Sequence, residues 1–173
     1  MIAIIAGVSG SGKTTVGAML AGRLNWPFAD ADDFHPEANV AKMRAGVPLT
    51  DEDRWPWLRA IAAWMDERIA AGESAVVTCS ALRRAHRAVL LDGRPSAWVM
   101  FLLVDRDTLA ERLATRHPHF FPPALLDSQL AAVDLPGPDE QAVIIDEGGR
   151  GPAATVEEIV NWLRQLAGGR EAP

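Results

Sequence analysis

The chain has 173 residues, 49 % of them hydrophobic, which predicts one domain with a buried core. The formal net charge of −6 and the pI near 5.2 exclude a general nucleic-acid binder, which would need a basic face. The single cysteine, Cys79, excludes an intrachain disulfide and favours a reducing compartment, and no apolar run reaches the roughly 20 residues that span a bilayer. We therefore expect a cytoplasmic protein.

Short apolar runs alternate with longer amphipathic segments along the chain. In chain order we predict strand 2–6, helix 14–24, strand 26–30, helix 53–71, strand 75–80, helix 84–91, strand 97–104, helices 108–115 and 124–133, strand 143–145 and helix 156–166. Fully apolar strands alternating with helices indicate an α/β fold whose parallel sheet is covered on both faces. Such sheets bind ligands at the carboxyl ends of their strands. We expect one domain over 1–167 and a flexible tail over 168–173.

A phosphate-binding motif follows the first predicted strand. The segment GVSGSGKT from Gly7 to Thr14 fits G-x-x-x-x-G-K-[ST], and it lies between a strand and a helix as this motif requires. Its backbone N–H groups would surround an anion, Lys13 would contact the β- and γ-phosphates of ATP, and Thr14 would bind Mg²⁺. The predicted nucleotide contacts in this segment are Gly7, Val8, Ser9, Gly10, Ser11, Gly12, Lys13, Thr14 and Thr15.

Two acids follow the second predicted strand, at the edge of the sheet where the phosphate-binding motif also lies. In an extended segment Asp30 and Asp32 would point the same way, because residues two apart share a face. Asp30 would orient Mg²⁺ through water, and Asp32 would align or accept the proton of an attacking hydroxyl. The alternative is a solvated acidic turn that caps the next helix. The third strand carries no Asp-Glu pair and no Asn-Lys-x-Asp occurs, which argues against a motor ATPase and a GTPase switch.

A longer pattern runs from Asp30 to Leu58, beginning DADDFHP and ending PLTDEDRWPWL, and continues with CSALR from Cys79 and LLDSQ from Leu125. These residues resemble the short, P-loop type of gluconokinase. The resemblance covers roughly residues 1 to 135. Shikimate kinases share the P-loop and the D-x-D pattern but lack the block between Asp30 and Leu58.

This resemblance implies ATP-dependent phosphorylation of D-gluconate at its 6-hydroxyl, with ATP and Mg²⁺ as cofactors. It also implies a three-layer P-loop NTPase fold with strand order 2-3-1-4-5, a substrate-covering insert at about 34–56, a lid at about 116–123 and a homodimer. Two alternatives stay open from the residues. One is another small-metabolite kinase of the same fold, acting on shikimate-like or nucleoside monophosphate acceptors, and the other is a non-catalytic ATP-binding module.

Several further side chains are candidates for binding the acceptor. Besides Asp32, the predicted substrate contacts are His35, Lys42, Arg54, Arg83, His119 and Gln129. A gluconate carboxylate would need an arginine or lysine, and its hydroxyls would need mixed donors and acceptors. The alternative for Arg54 is a surface ion pair with Asp51 or Asp53.

Two arginines precede the proline-rich stretch HPHFFPP. Arg112 and Arg116 are four residues apart and therefore share one helical face, which would meet the triphosphate when the lid closes. With Lys13 and Asp32, we predict Arg116 to be catalytic, because an arginine there would neutralise charge on the transferred phosphoryl group. The alternative is ion pairing of these arginines with Asp105, Asp107 or Glu111.

Overall fold

The structure, a computed structural model, describes residues 1–115 and 123–168. Five parallel strands form one sheet in the order β2-β3-β1-β4-β5. The strands are β1 (Ile2–Ala6), β2 (Phe28–Ala29), β3 (Ala75–Thr78), β4 (Ala97–Leu103) and β5 (Ala142–Asp146). The predicted fold class and strand order are confirmed, whereas β2 is only two residues long.

The described residues form seven α-helices. They are α1 (Lys13–Leu24), α2 (Glu37–Arg44), α3 (Asp51–Ala70), α4 (Arg84–Leu91), α5 (Arg106–Thr115), α6 (Pro123–Ala131) and α7 (Pro152–Gly168). The predicted helices all occur with small shifts at their ends, but α2 and a 3₁₀ helix over Ala31–Phe34 were not predicted. Of the described helices, none is both long and apolar enough to cross a membrane.

The two faces of the sheet pack against different helices. On one face, the strands contact apolar side chains of α3 and α4, including Trp57, Leu58, Ile61, Met65 and Leu90. On the other, they contact apolar side chains of α1 and α7, including Val16, Leu20, Val156, Ile159 and Leu163. β1 lies in the middle of the sheet and all five of its residues are buried. This burial on both faces explains why its sequence is continuously apolar rather than alternating.

A capping box sets the start of α3 two residues earlier than the sequence pattern predicts. The Thr50 hydroxyl accepts a hydrogen bond from the Asp53 backbone N–H at 3.3 Å, and the Asp53 carboxylate accepts one from the Thr50 N–H at 2.9 Å. These two bonds satisfy donors that a helix start otherwise leaves unpaired. Asp51 therefore belongs to the first turn of α3.

A close approach between α1 and the sheet requires a glycine at position 17. A Cβ atom built on Gly17 would lie 2.9 Å from Phe28 Cε2 and 2.9 Å from Thr78 Cγ2. A Cβ atom built on Gly22, about one and a half turns later, would have no neighbouring atom within 4 Å. The first glycine is thus a packing requirement, while the second only adds backbone freedom to the helix.

We expect Gly17→Ala and Gly22→Ala to change stability in opposite directions. The first should lower the free energy of unfolding by about 1–3 kcal/mol, because an added methyl group overpacks the contact with β2 and β3. The second should raise it by about 0.5–1 kcal/mol, because alanine restricts the unfolded chain and favours the helix. Urea denaturation measures both values, and a loss of stability in Gly17→Ala no larger than in Gly22→Ala would contradict this account of the contact.

Candidate active site

The phosphate-binding loop connects β1 to α1 at the carboxyl edge of the sheet. Gly7 adopts φ 141°, and a Cβ there would lie 2.8 Å from the Ser11 hydroxyl oxygen and 2.9 Å from the Leu102 carbonyl oxygen. The loop therefore closes tightly over the end of β4 only with glycine at this position. The Lys13 ammonium donates to the Val8 carbonyl at 2.9 Å, which folds the lysine side chain back across the loop.

α1 begins at Lys13, directly after the loop, so its positive end points toward the same space. Thr14 and Thr15 are exposed in its first turn. Together the loop and the helix start form the arrangement that binds phosphate groups in this class of fold. The residues predicted to contact the nucleotide from Gly7 to Thr15 thus all lie in one continuous loop and first helical turn.

Gln129 of α6 contacts this loop directly. Its side-chain oxygen accepts a hydrogen bond from the Ser9 backbone N–H at 2.8 Å, and its side-chain nitrogen donates to the Ser9 hydroxyl at 3.1 Å. Sequence reasoning assigned Gln129 to the acceptor on resemblance alone. The structure places it against the phosphate-binding loop, 120 positions away in the chain from Ser9.

The acidic turn after β2 is joined to the start of α1. The Thr14 hydroxyl donates to Asp30 Oδ2 at 2.9 Å, while Asp30 Oδ1 accepts the Asp32 backbone N–H at 3.1 Å. The expectation that Asp30 and Asp32 lie in one extended segment and point the same way is wrong, because Asp30 caps a 3₁₀ helix that contains Asp32. Asp30 therefore caps a helix, as the alternative interpretation of the acidic turn expected, and it also lies beside the phosphate-binding loop.

α3 fixes the position of this turn through two ring contacts. The Trp57 indole N–H donates to the Ala31 carbonyl at 2.6 Å, and the His35 ring stacks on Trp57 with 4.4 Å between ring centroids. Burial lowers the pKa of His35, the nearby Asp32 carboxylate opposes this effect, and Arg54 adds to it. At neutral pH His35 is therefore an uncharged ring that can both donate and accept a hydrogen bond.

Lys42 of α2 makes an ion pair within the insert. Its ammonium lies 2.7 Å from Asp53 Oδ1 and 2.8 Å from Asp53 Oδ2, the same carboxylate that closes the capping box of α3. Asn39, which is buried, donates to the Asp53 carbonyl oxygen at 2.8 Å. These contacts attach α2 to α3, so in this structure Lys42 holds the insert together and its predicted contact with an acceptor would require a change of partner.

Arg54 and Arg83 meet at a single carboxylate. Asp51 accepts from Arg83 Nη1 at 2.7 Å and from Arg54 Nη1 at 3.3 Å. The ion pair of Arg54 with Asp51, the alternative left open from the sequence, therefore exists. The structure also brings His86, which sequence reasoning did not consider, within 3.2 Å of the same carboxylate.

Arg112 lies at the opposite side of the site, near the end of β5. Its guanidinium donates to both oxygens of the Glu147 carboxylate at 2.8 and 2.7 Å, and the Glu147 side chain is only 3 % exposed. An ion pair of Arg112 was expected as one alternative, but the acidic partners proposed for it, Asp105, Asp107 and Glu111, were wrong. Because Glu147 follows β5, its closeness to α5 depends on strand order and could not be inferred from local spacing.

Three parts of the predicted site lie outside the described residues. They are Arg116, His119 and most of the predicted lid. Cys79, in contrast, is described at the end of β3, where burial raises the pKa of its thiol to about 12. A thiol that remains protonated under physiological conditions is a poor nucleophile, and Cys79 packs in the buried apolar cluster on one face of the sheet.

The oxygen atoms of Thr14 and Asp30 suit a hard divalent cation such as Mg²⁺. Within residues 1–115 and 123–168 no group of three or more histidine, cysteine or acidic side chains could enclose a metal by itself. Mg²⁺ is commonly held by one or two protein oxygens together with water and substrate phosphates. The pair at 2.9 Å beside the phosphate-binding loop fits that mode of binding.

Comparisons with known proteins identify what this arrangement is similar to. The shikimate kinase family profile matches residues 9–164. A gluconokinase of Gluconobacter oxydans is 46 % identical over 164 residues, which cover 93 % of this chain and 90 % of that protein.

Two solved structures are similar over nearly the whole chain. A gluconokinase from Sinorhizobium meliloti has a TM-score of 0.85 at 40 % identity and covers 96 % of this chain and 93 % of its own. A sugar kinase from Janibacter has a TM-score of 0.83 at 45 % identity and covers 94 % of each chain.

We expect Gln129→Ala to weaken nucleotide binding, because the substitution removes both hydrogen bonds that hold Ser9 in the phosphate-binding loop. The dissociation constant of a non-hydrolysable ATP analogue should rise by about 5- to 10-fold, the value expected for one net hydrogen bond. Isothermal titration calorimetry measures this constant.

Asp127→Ala is the matched control for Gln129→Ala. Asp127 lies on the same helix but pairs with Arg106, at 2.9 Å. Nucleotide binding should not change in this variant. If Gln129→Ala binds the nucleotide as the wild type does but binds the acceptor more weakly, Gln129 has the substrate-binding role predicted from the sequence.

Proposed function

We propose, since this chain belongs to the gluconokinases of the shikimate kinase family, that it transfers the γ-phosphoryl group of ATP to the 6-hydroxyl of D-gluconate. The products are ADP and 6-phospho-D-gluconate. The observation that carries the proposal is the hydrogen bond of 2.9 Å between Thr14 and Asp30. It joins the phosphate-binding loop to an acidic turn, and phosphoryl transfer needs both a phosphate cradle and a nearby carboxylate.

The nucleotide side of the reaction depends on the loop and the first turn of α1. Backbone N–H groups of the loop bind the phosphates, and Lys13 leaves the Val8 carbonyl to contact the β- and γ-phosphates. Thr14 and Asp30 would hold Mg²⁺, with water between Asp30 and the cation. The cation, when bound, neutralises negative charge that develops on the phosphate oxygens.

On the acceptor side, Asp32 aligns the 6-hydroxyl for attack. The hydroxyl oxygen forms a bond to the γ-phosphorus while the bond between that phosphorus and the β–γ bridging oxygen breaks. The hydroxyl proton passes to the Asp32 carboxylate, and ADP leaves with the electron pair of the broken bond. His35, stacked on Trp57 near this turn, supplies a donor and an acceptor for the other hydroxyl groups.

Cationic side chains bind the two anionic substrates. Arg54 and Arg83 bind the gluconate carboxylate, which their planar guanidinium groups suit. Arg112 and Arg116 contact the triphosphate, and Arg116 stabilises the transferring phosphoryl group. Lys42 and His119 complete the acceptor pocket when the insert and the lid close over it, which excludes water as a competing acceptor.

The proposal also includes Mg²⁺ dependence, a cytoplasmic location and a homodimer. The oxygen pair of Thr14 and Asp30 supports the cation. The family resemblance supports the dimer, and light scattering after size-exclusion chromatography measures its mass.

A coupled ADP-release assay over a panel of acceptors tests the proposed reaction. The panel contains gluconate, other sugar acids, shikimate and nucleoside monophosphates, each with MgATP. We expect turnover with gluconate and at least 100-fold lower kcat/KM with shikimate or a nucleotide, because a site that pairs buried polar groups rejects acceptors lacking them. Turnover of shikimate or a nucleotide without turnover of gluconate would refute the proposal, and ATP binding with no turnover at all would indicate a non-catalytic module.

We expect Asp32→Asn to lower kcat by about 100-fold or more while ATP binding stays largely intact, because the amide cannot accept the hydroxyl proton. Steady-state kinetics and calorimetry with an ATP analogue measure the two effects. Asp33→Asn is the matched control, since Asp33 is the exposed neighbour in the same 3₁₀ helix. Equal kcat values for wild type and Asp32→Asn would remove Asp32 from the mechanism.

A further inference from the structure

Asp51, which was predicted only as a possible ion-pair partner of Arg54, accepts hydrogen bonds from three side chains. Arg83 Nη1 lies 2.7 Å from Asp51 Oδ2, Arg54 Nη1 lies 3.3 Å from Oδ1, and His86 Nε2 lies 3.2 Å from Oδ1. We refer to these four residues as the Asp51 cluster. It stands at the carboxyl edge of the sheet, where the turn after β3 meets the start of α3.

The three donors come from two elements, α3 and the start of α4. Arg54 lies one turn after Asp51 in α3, Arg83 precedes α4, and His86 lies in the first turn of α4. A surface ion pair between neighbours on one helix contributes little and is easily replaced by water. A carboxylate that fixes two guanidinium groups from different elements instead sets the distance and angle between them.

Exposure increases from the histidine to the arginines in the Asp51 cluster. The His86 side chain is 6 % exposed, the Asp51 and Arg54 side chains are each 31 % exposed, and the Arg83 side chain is 49 % exposed. The edge ring contact of Trp55 with His86, at 5.5 Å between centroids, covers the histidine. The cluster is thus anchored below by His86 and open to solvent at its guanidinium groups.

The charges in the Asp51 cluster match this arrangement. Burial tends to raise the pKa of Asp51, but the hydrogen bond from His86 and the charges of Arg83 and Arg54 outweigh it and hold this pKa below its ordinary value. Burial lowers the pKa of His86, and the hydrogen bond with Asp51 opposes this effect. At neutral pH an ionised Asp51 therefore accepts from an uncharged His86 and from two cationic arginines.

Donors remain for a second carboxylate. A guanidinium group carries five N–H donors in a planar fork, and Asp51 contacts only the Nη1 atom of each arginine. A carboxylate on the solvent side can therefore bind both arginines while Asp51 keeps them in place. Without Asp51, the two like charges would repel each other, and a ligand would have to order both long side chains itself.

We propose that Asp51 is a positioning residue, which holds Arg54 and Arg83 in converging orientations so that together they bind the carboxylate of the acceptor. This role rests on the proposed function, because it requires an acceptor that carries a carboxylate. Asp51 acts through the two arginines and does not itself contact the acceptor.

Steady-state kinetics of Asp51→Asn tests this role. The amide keeps the size of the side chain but removes its charge and one acceptor oxygen. We expect the KM for gluconate to rise by about 10-fold or more, the change that corresponds to the loss of one charge-assisted hydrogen bond. We expect kcat to stay within about 3-fold and the KM for ATP to stay unchanged. Asp51→Glu, which restores the charge, should recover part of the affinity for gluconate.

Glu52→Gln is the matched control, because Glu52 is an exposed acid in the same first turn of α3. It removes the same favourable interaction with the helix N-terminus but leaves the Asp51 cluster intact. Thermal melts of the two variants should agree to within a few degrees, and Glu52→Gln should keep the KM for gluconate of the wild type.

Two results would overturn the proposal. A gluconate KM in Asp51→Asn that is unchanged or lower would mean that Asp51 only repels the acceptor or caps the helix. An equal rise in the KM values for ATP and gluconate, together with a lower melting temperature than Glu52→Gln, would reduce the role to folding. If the wild type phosphorylates only acceptors without a carboxylate, the proposed function fails first, and the acceptor panel distinguishes that outcome from the other two.

Discussion

The buried guanidinium group of Arg87 holds together the part of the molecule on which the acceptor side of the site is built. It donates to both oxygens of Glu140, at 2.7 and 2.9 Å, and to the backbone carbonyl groups of Ala81, Leu82 and Asp134. Arg87 is fully buried. Loss of Glu140 would leave a buried charge without its counter-ion, which typically costs about 3–5 kcal/mol. This one side chain therefore fixes the turn after β3 and the loop before β5 against α4.

The turn that Arg87 holds is also the one that places Arg83. Ala81 has φ 38°, a left-handed conformation that is unfavourable for a residue with a Cβ atom and persists only where the surroundings impose it. Two residues later Arg83, the residue before α4, contacts Asp51 at 2.7 Å. The orientation of an exposed, solvated arginine thus depends on a buried ion pair one helical turn away. Precise ligand binding requires this arrangement, in which a rigid buried ion pair supports the backbone that carries exposed donors.

Sequence patterns predicted the features that are local or periodic, and they failed where tertiary contacts decide. The strands and helices follow from apolar periodicity. The phosphate-binding loop follows from a motif whose glycines let the backbone surround an anion. Arg87 could not be distinguished from a surface arginine, because its burial depends on Glu140, 53 positions away. Gln129 was assigned by resemblance, and only the packing of α6 shows its contact with Ser9. The turn after β2 was missed because an extended segment was expected from Asp30 to Asp32, whereas Asp30 caps a 3₁₀ helix that contains Asp32.

Paired charges explain how a chain with a net charge of −6 can hold a site for two anionic substrates. Each described lysine or arginine assigned to the acceptor or the triphosphate outside the phosphate-binding loop contacts a carboxylate, and two of the arginines share one. The pairs are Lys42 with Asp53, Arg112 with Glu147, and Arg54 and Arg83 with Asp51. Unpaired, so many cations in one cleft would repel each other and move apart into solvent. The acids therefore keep the cations in place before any substrate binds. Because the donors are already oriented, the binding of an anion costs less conformational entropy.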